Sequence, residues 1–139
     1  MRLLVDTNVF LDFLLERDKD TTNASESFFR WAKEKNNEIY VTSMSLRDIE
    51  YVVHRKFHDK KASKMIQIAV YRMCYKVLGI SPDAAINSLY SDIDDYEDSL
   101  IIEAAKELLL DGVVTNNKKD FLHAGIPIFT PSEIVNLGQ

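Results

Sequence analysis

A chain of 139 residues, 46% hydrophobic and 28% charged, has the length of one globular domain and enough apolar material to bury a continuous core. Its formal charge is 17 basic minus 22 acidic residues, or −5, which excludes a generic polyanion binder. A nucleic-acid substrate would need a local basic patch or a bound cation.

The first predicted element is a strand over Arg2–Asp6, in which Leu3, Leu4 and Val5 lead into Asp6. A helix is expected from about Asn8 to Glu16, on the apolar run around Val9, Phe10, Leu11, Phe13, Leu14 and Leu15. Asp18 to Asn23 is polar and reads as a loop, and a helix follows over Ala24–Lys35 with Phe28, Phe29, Trp31 and Ala32 as its buried side. Trp31 is expected in the core or a dimer interface rather than on a base-stacking surface.

Ile39–Thr42 predicts a second strand. Ser43 or Ser45 is expected to cap the next helix, which runs to about Phe57, with Ser45-x-x-Asp48 approximating a capping box. Another helix is predicted over Lys60–Val77, with a brief strand at Val77-Leu78 before Gly79. Cys74 lies in this apolar stretch, where a small core filler is expected rather than a nucleophile. One cysteine cannot form an internal disulfide, which fits a reducing compartment.

Pro82 is placed to start a short helix. The acidic run Ser91–Asp98 leads into a helix carrying Leu100, Ile101, Ala104, Ala105, Leu108 and Leu109, ended by Asp111-Gly112. Gly112–Thr115 reads as a strand, Asn116–Asp120 as a polar loop, and Ile126–Phe129 as a last strand whose Pro127 favours a sheet edge. Thr130-Pro131-Ser132-Glu133 combines proline at the first helical position with a capping box. Strands alternating with helices predict one α/β domain over residues 1–139, a three-layer α/β/α sandwich with a mainly parallel sheet. No apolar run has membrane-spanning length and no leader-like cleavage pattern opens the chain, so a cytoplasmic protein is expected.

The acids fall in a pattern on this map. Asp6 ends the first strand, Asp48 lies early in the helix after the second, Asp98 opens the helix before the Gly112 strand, and Asp120 closes the loop after it. In a parallel sheet the carboxyl ends of strands and the starts of the helices that follow them share one edge, which brings Asp6, Asp48 and Asp120 together; Asp98 joins if its helix starts there too. Clustered carboxylates repel one another and take up protons unless a cation neutralises them. Hard oxygen donors without histidine or cysteine suit Mg²⁺ or Mn²⁺, and such a site supports phosphodiester hydrolysis by an activated water. The alternative role for Asp6 is a helix cap, and for Asp98 a partner of the helix dipole. Asn8, Thr115 and Asn117 are expected to orient the acids rather than to ligate. No nucleophilic triad or phosphate-cradling glycine loop is present, with four glycines scattered along the chain.

The densest basic stretch is His54-Arg55-Lys56-Phe57-His58 with Lys60, Lys61 and Lys64. A solvated helix face is its default reading, and an RNA-backbone contact through Arg55, Lys56, Lys60 and Lys61 is the alternative. His54 and His58 are four residues apart without the glutamate of a zinc-protease helix.

Four segments, in order, carry a resemblance to the PIN-domain family, and in particular to VapC-type toxin ribonucleases: Leu4-Val5-Asp6-Thr7-Asn8-Val9, Thr42-Ser43-Met44-Ser45-Leu46-Arg47-Asp48-Ile49, Tyr96-Glu97-Asp98-Ser99-Leu100, and Val114-Thr115-Asn116-Asn117-Lys118-Lys119-Asp120-Phe121. The resemblance implies an α/β/α sandwich, an endoribonuclease dependent on Mg²⁺ or Mn²⁺, frequent homodimers and a small antitoxin partner. This chain departs from the family pattern twice. Asp48 stands where glutamate is commoner, with Glu50 nearby as the competing second acid, and Asn117 stands where many members carry an acid. The competing functional reading is a non-catalytic module that binds RNA or protein, and a structure-specific DNA nuclease is a third.

Overall fold

The computed structural model describes all residues, Met1–Gln139. Five strands form one all-parallel sheet in the order β3-β2-β1-β4-β5: β1 is Arg2–Val5, β2 Glu38–Thr42, β3 Lys76–Leu78, β4 Gly112–Val114 and β5 Ile128–Phe129. Central β1 is buried on both faces, as interior parallel strands are, with Leu3 and Leu4 at 0% exposure. Because successive strand side chains alternate, Leu3 and Val5 face one layer and Leu4 the other.

The first layer joins α1 (Thr7–Leu15), α2 (Lys19–Glu34), α3 (Ser43–Phe57), α4 (Lys60–Met73) and α7 (Pro131–Leu137) through Phe10, Phe28, Ile49, Val70 and Ile134. Trp31 belongs to this core, as expected. On the opposite face, α6 (Tyr96–Glu107) supplies Ile101, Ile102, Ala104 and Ala105, with Phe121 from a 3-10 turn over Lys118–Phe121. α5 (Pro82–Leu89) packs against α6. The protein is therefore a three-layer α/β/α sandwich.

Three local readings are corrected. Asp18–Asn23 is not a loop: Asp18 caps α2 by accepting from Thr21 N–H at 3.0 Å, and the Thr22 hydroxyl donates to the Asp12 carbonyl at 2.8 Å, so the helix begins five residues before Ala24. Neither Ser43 nor Ser45 caps α3. Thr42, the last residue of β2, does so through Ser45 N–H at 3.0 Å, and the Ser45–Asp48 capping box does not form. Finally, α4 ends at Met73 rather than Val77, because Lys76–Leu78 pairs with β2 in register Tyr40↔Lys76 to Thr42↔Leu78. Cys74, just beyond the helix, packs partly buried against the core, and burial pushes its thiol up to about 12, which leaves it inert.

β5 lies at the sheet edge, and the capping box of α7 forms through Thr130 and Glu133. The chain fills β2 and β3 on one side of β1 and then crosses to β4 on the other. The reversal of strand order falls between β1 and β4, where open parallel sheets place their ligand crevice.

Candidate metal and nuclease site

A cleft of about 400 Å³ opens at that reversal, at the carboxyl edge of the sheet. Asp6, Asp48, Asp98 and Asp120 all line it, as do Asn8, Asn117, Asp95 and Glu97. Glu50, the competing second acid, does not. The helix of Asp98 starts at this edge because a crossover helix leaves the carboxyl end of the sheet to deliver the chain to the start of β4.

Asp6 is the most constrained of the four, at 5% exposure. Its backbone N–H donates to the Val114 carbonyl at 2.9 Å, continuing the β1–β4 pairing one residue past the strand. One carboxylate oxygen, Oδ1, accepts from Thr7 N–H at 2.8 Å and opens α1. The other, Oδ2, accepts from the Thr115 hydroxyl at 2.8 Å. Thr115 is itself fully buried, and its hydroxyl accepts from Asn117 N–H at 3.0 Å, which fixes the loop that leads to Asp120. Burial pushes the Asp6 carboxyl upward, the bonds from Thr115 and Thr7 oppose this, and the charges of Asp120 and Asp48 push it further up.

Asp98 sits in the first turn of α6, whose N-cap is Asp95; Asp95 accepts from Asp98 N–H at 3.0 Å. Half-buried, with Asp6, Asp95, Asp120 and Glu97 nearby, Asp98 is pushed up to about 7, first by desolvation and then by those charges. Asp48, in the second turn of α3, is carried by a helix whose start is tied to the start of α1 and the end of β2: the Thr7 and Thr42 hydroxyls both donate to Ser45 Oγ, at 2.9 and 3.1 Å. Asp48 leans toward Arg47 at 3.5 Å, and Asp120 is exposed on the 3-10 turn. As the side chains stand, no three acids meet at one metal-sized point. The donor set nevertheless fits a hard divalent cation in kind: carboxylate oxygens with no histidine or cysteine among the lining residues, two of which, Asp6 and Asp98, are held against ionisation first by burial and then by the neighbouring carboxylates.

A family model described as the PIN domain matches residues 2–119. The chain belongs to the PIN-domain family. Among solved structures, this PIN domain is similar to a toxin-antitoxin complex from Klebsiella pneumoniae, at 25% identity and a TM-score of 0.65, over 94% of this chain and 98% of that one. It is also similar to VapBC-1 from nontypeable Haemophilus influenzae, at 13% identity and TM-score 0.69, over 95% and 99% of the two chains. A third is Mycobacterium tuberculosis VapC20, a Sarcin-Ricin loop cleaving toxin, at 13% identity and TM-score 0.61, over 80% and 86%. No curated protein matches the chain in sequence.

Within the PIN domain, the basic residues Arg55, Lys56, Lys60 and Lys61 are exposed and do not line the cleft. Roughly 18 Å of helix separates Ser43, at the start of α3, from Arg55. His54 and His58 stack edge-on at 6.5 Å between ring centres, outside any group of side chains that could hold a metal. Sequence reasoning missed the joint role of Thr7, Thr42 and Ser45, whose hydroxyls couple α1 and β2 to α3. It also missed Asp12 and Arg17, although Asp12 carries a signal: a lone carboxylate inside the apolar run Val9–Leu15 requires a partner.

Proposed function

We propose that this PIN domain, acting as one unit over residues 1–139, is a divalent-metal-dependent endoribonuclease and the toxin of a toxin-antitoxin pair. The observation that carries the reading is the buried Asp6 at the β1–β4 reversal, facing Asp98, Asp48 and Asp120 across one cleft. The similarity to toxin-antitoxin complexes, and to a Sarcin-Ricin loop cleaving toxin, supports substrate and partner class.

Asp6, Asp48, Asp98 and Asp120 are the residues to hold Mg²⁺ or Mn²⁺, as one ion or two. The chemistry supplied by such an ion is charge neutralisation at the phosphate and a lowered pKa for water. The protein's own groups do the rest. Thr115 and the Thr7 amide hold the Asp6 carboxylate in one orientation, each using a single lone pair, so each oxygen keeps one free. Thr115, through Asn117 N–H, also sets the start of the Asp120 turn. Asn8 and Asn117 line the wall beside the acids as groups that fix their surroundings, and the distal Arg55, Lys56, Lys60 and Lys61 offer a further contact for RNA backbone. With no helix long and apolar enough to cross a membrane, cytoplasmic action accords with the reading. Exposed Ile86, Leu89 and Tyr90 on and after α5 provide an apolar face for a homodimer.

The decisive experiment replaces Asp6→Asn and measures cleavage of RNA with Mn²⁺ present. Loss of cleavage with an unchanged fold is expected, and full activity in that variant refutes the reading. Calorimetric titration separates it from the binding-module alternative: no heat from millimolar Mn²⁺ in the wild type favours a non-catalytic module.

A further inference from the structure

Asp12 interrupts an apolar helix and is 8% exposed, so its charge must be compensated inside the fold. Its two oxygens have different partners. Oδ2 accepts from Asn116 Nδ2 at 2.6 Å, across the sheet reversal. Oδ1 accepts from Arg17 Nε at 3.0 Å and Nη2 at 2.8 Å. Arg17 reaches back to Asp12 because Glu16 ends α1 in the left-handed conformation, φ 49°, and reverses the chain. Arg17 Nη2 also donates to Asn8 Oδ1 at 3.3 Å, beside the Asp6 cap.

This arrangement does more than neutralise a buried acid. Arg17 lines the cleft and is the sole cationic side chain to do so. Its only salt bridge is with Asp12, and it pairs with none of the cleft acids. Its Nη1 has no protein partner, and 39% of the side chain is open to solvent. A guanidinium anchored on two nitrogens, with the third free at a cleft wall, is preorganised to meet an oxyanion.

Building on the nuclease reading, we propose that Arg17 is a phosphate-binding residue of the cleft, taking a non-bridging oxygen of a single-stranded RNA phosphodiester. Asp12 and Asn116 are its positioning residues. Arginine suits the place because a lysine could neutralise Asp12 but could not hold that anchor and present a second N–H edge together.

The test uses the full chain in EDTA with a fluorescein-labelled single-stranded oligoribonucleotide of mixed sequence, with affinity read by anisotropy against salt. Two variants are compared with wild type: Arg17→Lys, which preserves the charge opposite Asp12, and the double variant Arg17→Gln with Asp12→Asn, which leaves no unpaired buried charge. The double variant is expected to bind about 10-fold more weakly, and its slope of log affinity on log salt to fall by about 0.7, the value of one lost phosphate contact. Arg17→Lys is expected to keep the slope and lose affinity about 3-fold, as the fork is lost but the charge is not. Replacing phosphates one at a time by neutral methylphosphonate should weaken wild type at one position and leave the double variant unaffected there. A folded double variant with wild-type slope and methylphosphonate profile overturns the assignment and leaves Arg17 as a neutraliser of Asp12. That result leaves the nuclease reading standing, whereas cleavage that survives Asp6→Asn refutes the nuclease reading itself. A wild-type protein that does not bind the RNA at all overturns the Arg17 assignment too.

Discussion

Replacing Asp98→Asn should stabilise the metal-free protein at neutral and alkaline pH while destroying its response to metal. Asp98 is pushed up to about 7 from an ordinary value of 3.8, by desolvation and by Asp6, Asp95, Asp120 and Glu97. A carboxyl whose pKa is raised by folding favours the folded state only while it is protonated. Its contribution is complete below pH 3.8 and is lost as the pH climbs through about 7. At pH 8 the ionised group therefore opposes folding. A fully dry site would make this about 4 kcal/mol. Asp98 is half open to water, and solvent screening reduces the figure to about 1–2 kcal/mol, or roughly 3–8 °C in Tm. Urea denaturation in EDTA at pH 5 and pH 8 measures it: the variant's advantage over wild type should be small at the lower pH, part-way into the window, and full at the higher. Adding Mn²⁺ should raise the wild-type midpoint and leave the variant's almost unmoved. A variant no more stable than wild type at pH 8 in EDTA refutes the idea that the cleft acids strain one another.

Three further outcomes follow from the same contacts. Thr115→Val removes the donor to Asp6 and the acceptor for Asn117 N–H, and should cost about 2–3 kcal/mol by urea denaturation, with Thr115→Ser close to wild type. Asp48→Asn should lower RNA cleavage by roughly 100-fold or more, whereas Glu50→Gln, outside the cleft, should leave it within about 2-fold of wild type. Gly112→Ala places a Cβ 2.7 Å from Phe129 Cε2 and 2.9 Å from the Pro127 carbonyl oxygen, so β5 must move off β4; a loss of about 1–3 kcal/mol is expected.

Architecture was readable because its determinants are local. The run Leu3-Leu4-Val5 announces a strand buried on both faces, and Thr130-Pro131-Ser132-Glu133 spells out a helix start. The errors lie where a tertiary partner overrides local preference. Ser45 looked like a cap, but its hydroxyl is taken by Thr7 and Thr42. Lys76 and Val77 continue a helical pattern, yet β2 offers them unpaired backbone and wins. The acids were legible because strand ends and helix starts meet at one edge by topology. The Asp12–Arg17–Asn116 group was not, because Asp12 and Asn116 lie 104 residues apart and meet only once β1 and β4 have paired.

Asp6 shows why choosing between a cap and a ligand was the wrong choice to pose. The carboxylate caps α1 with Oδ1 and binds Thr115 with Oδ2, and these bonds make it a better candidate ligand by removing its rotational freedom. The two roles separate by substitution. Asp6→Asn keeps an oxygen for the Thr7 amide and removes a charge that burial opposes, so the metal-free fold should be as stable as wild type or more so while cleavage is lost. Asp6→Ala deletes the cap as well, leaves the Thr115 hydroxyl with no side-chain partner at position 6 where asparagine can still donate to it, and should lose about 1–2 kcal/mol relative to the asparagine variant. Equal stability of the two variants in EDTA would show that the cap contributes nothing, and would leave the rigidity of Asp6 to its burial and the β1–β4 pairing alone.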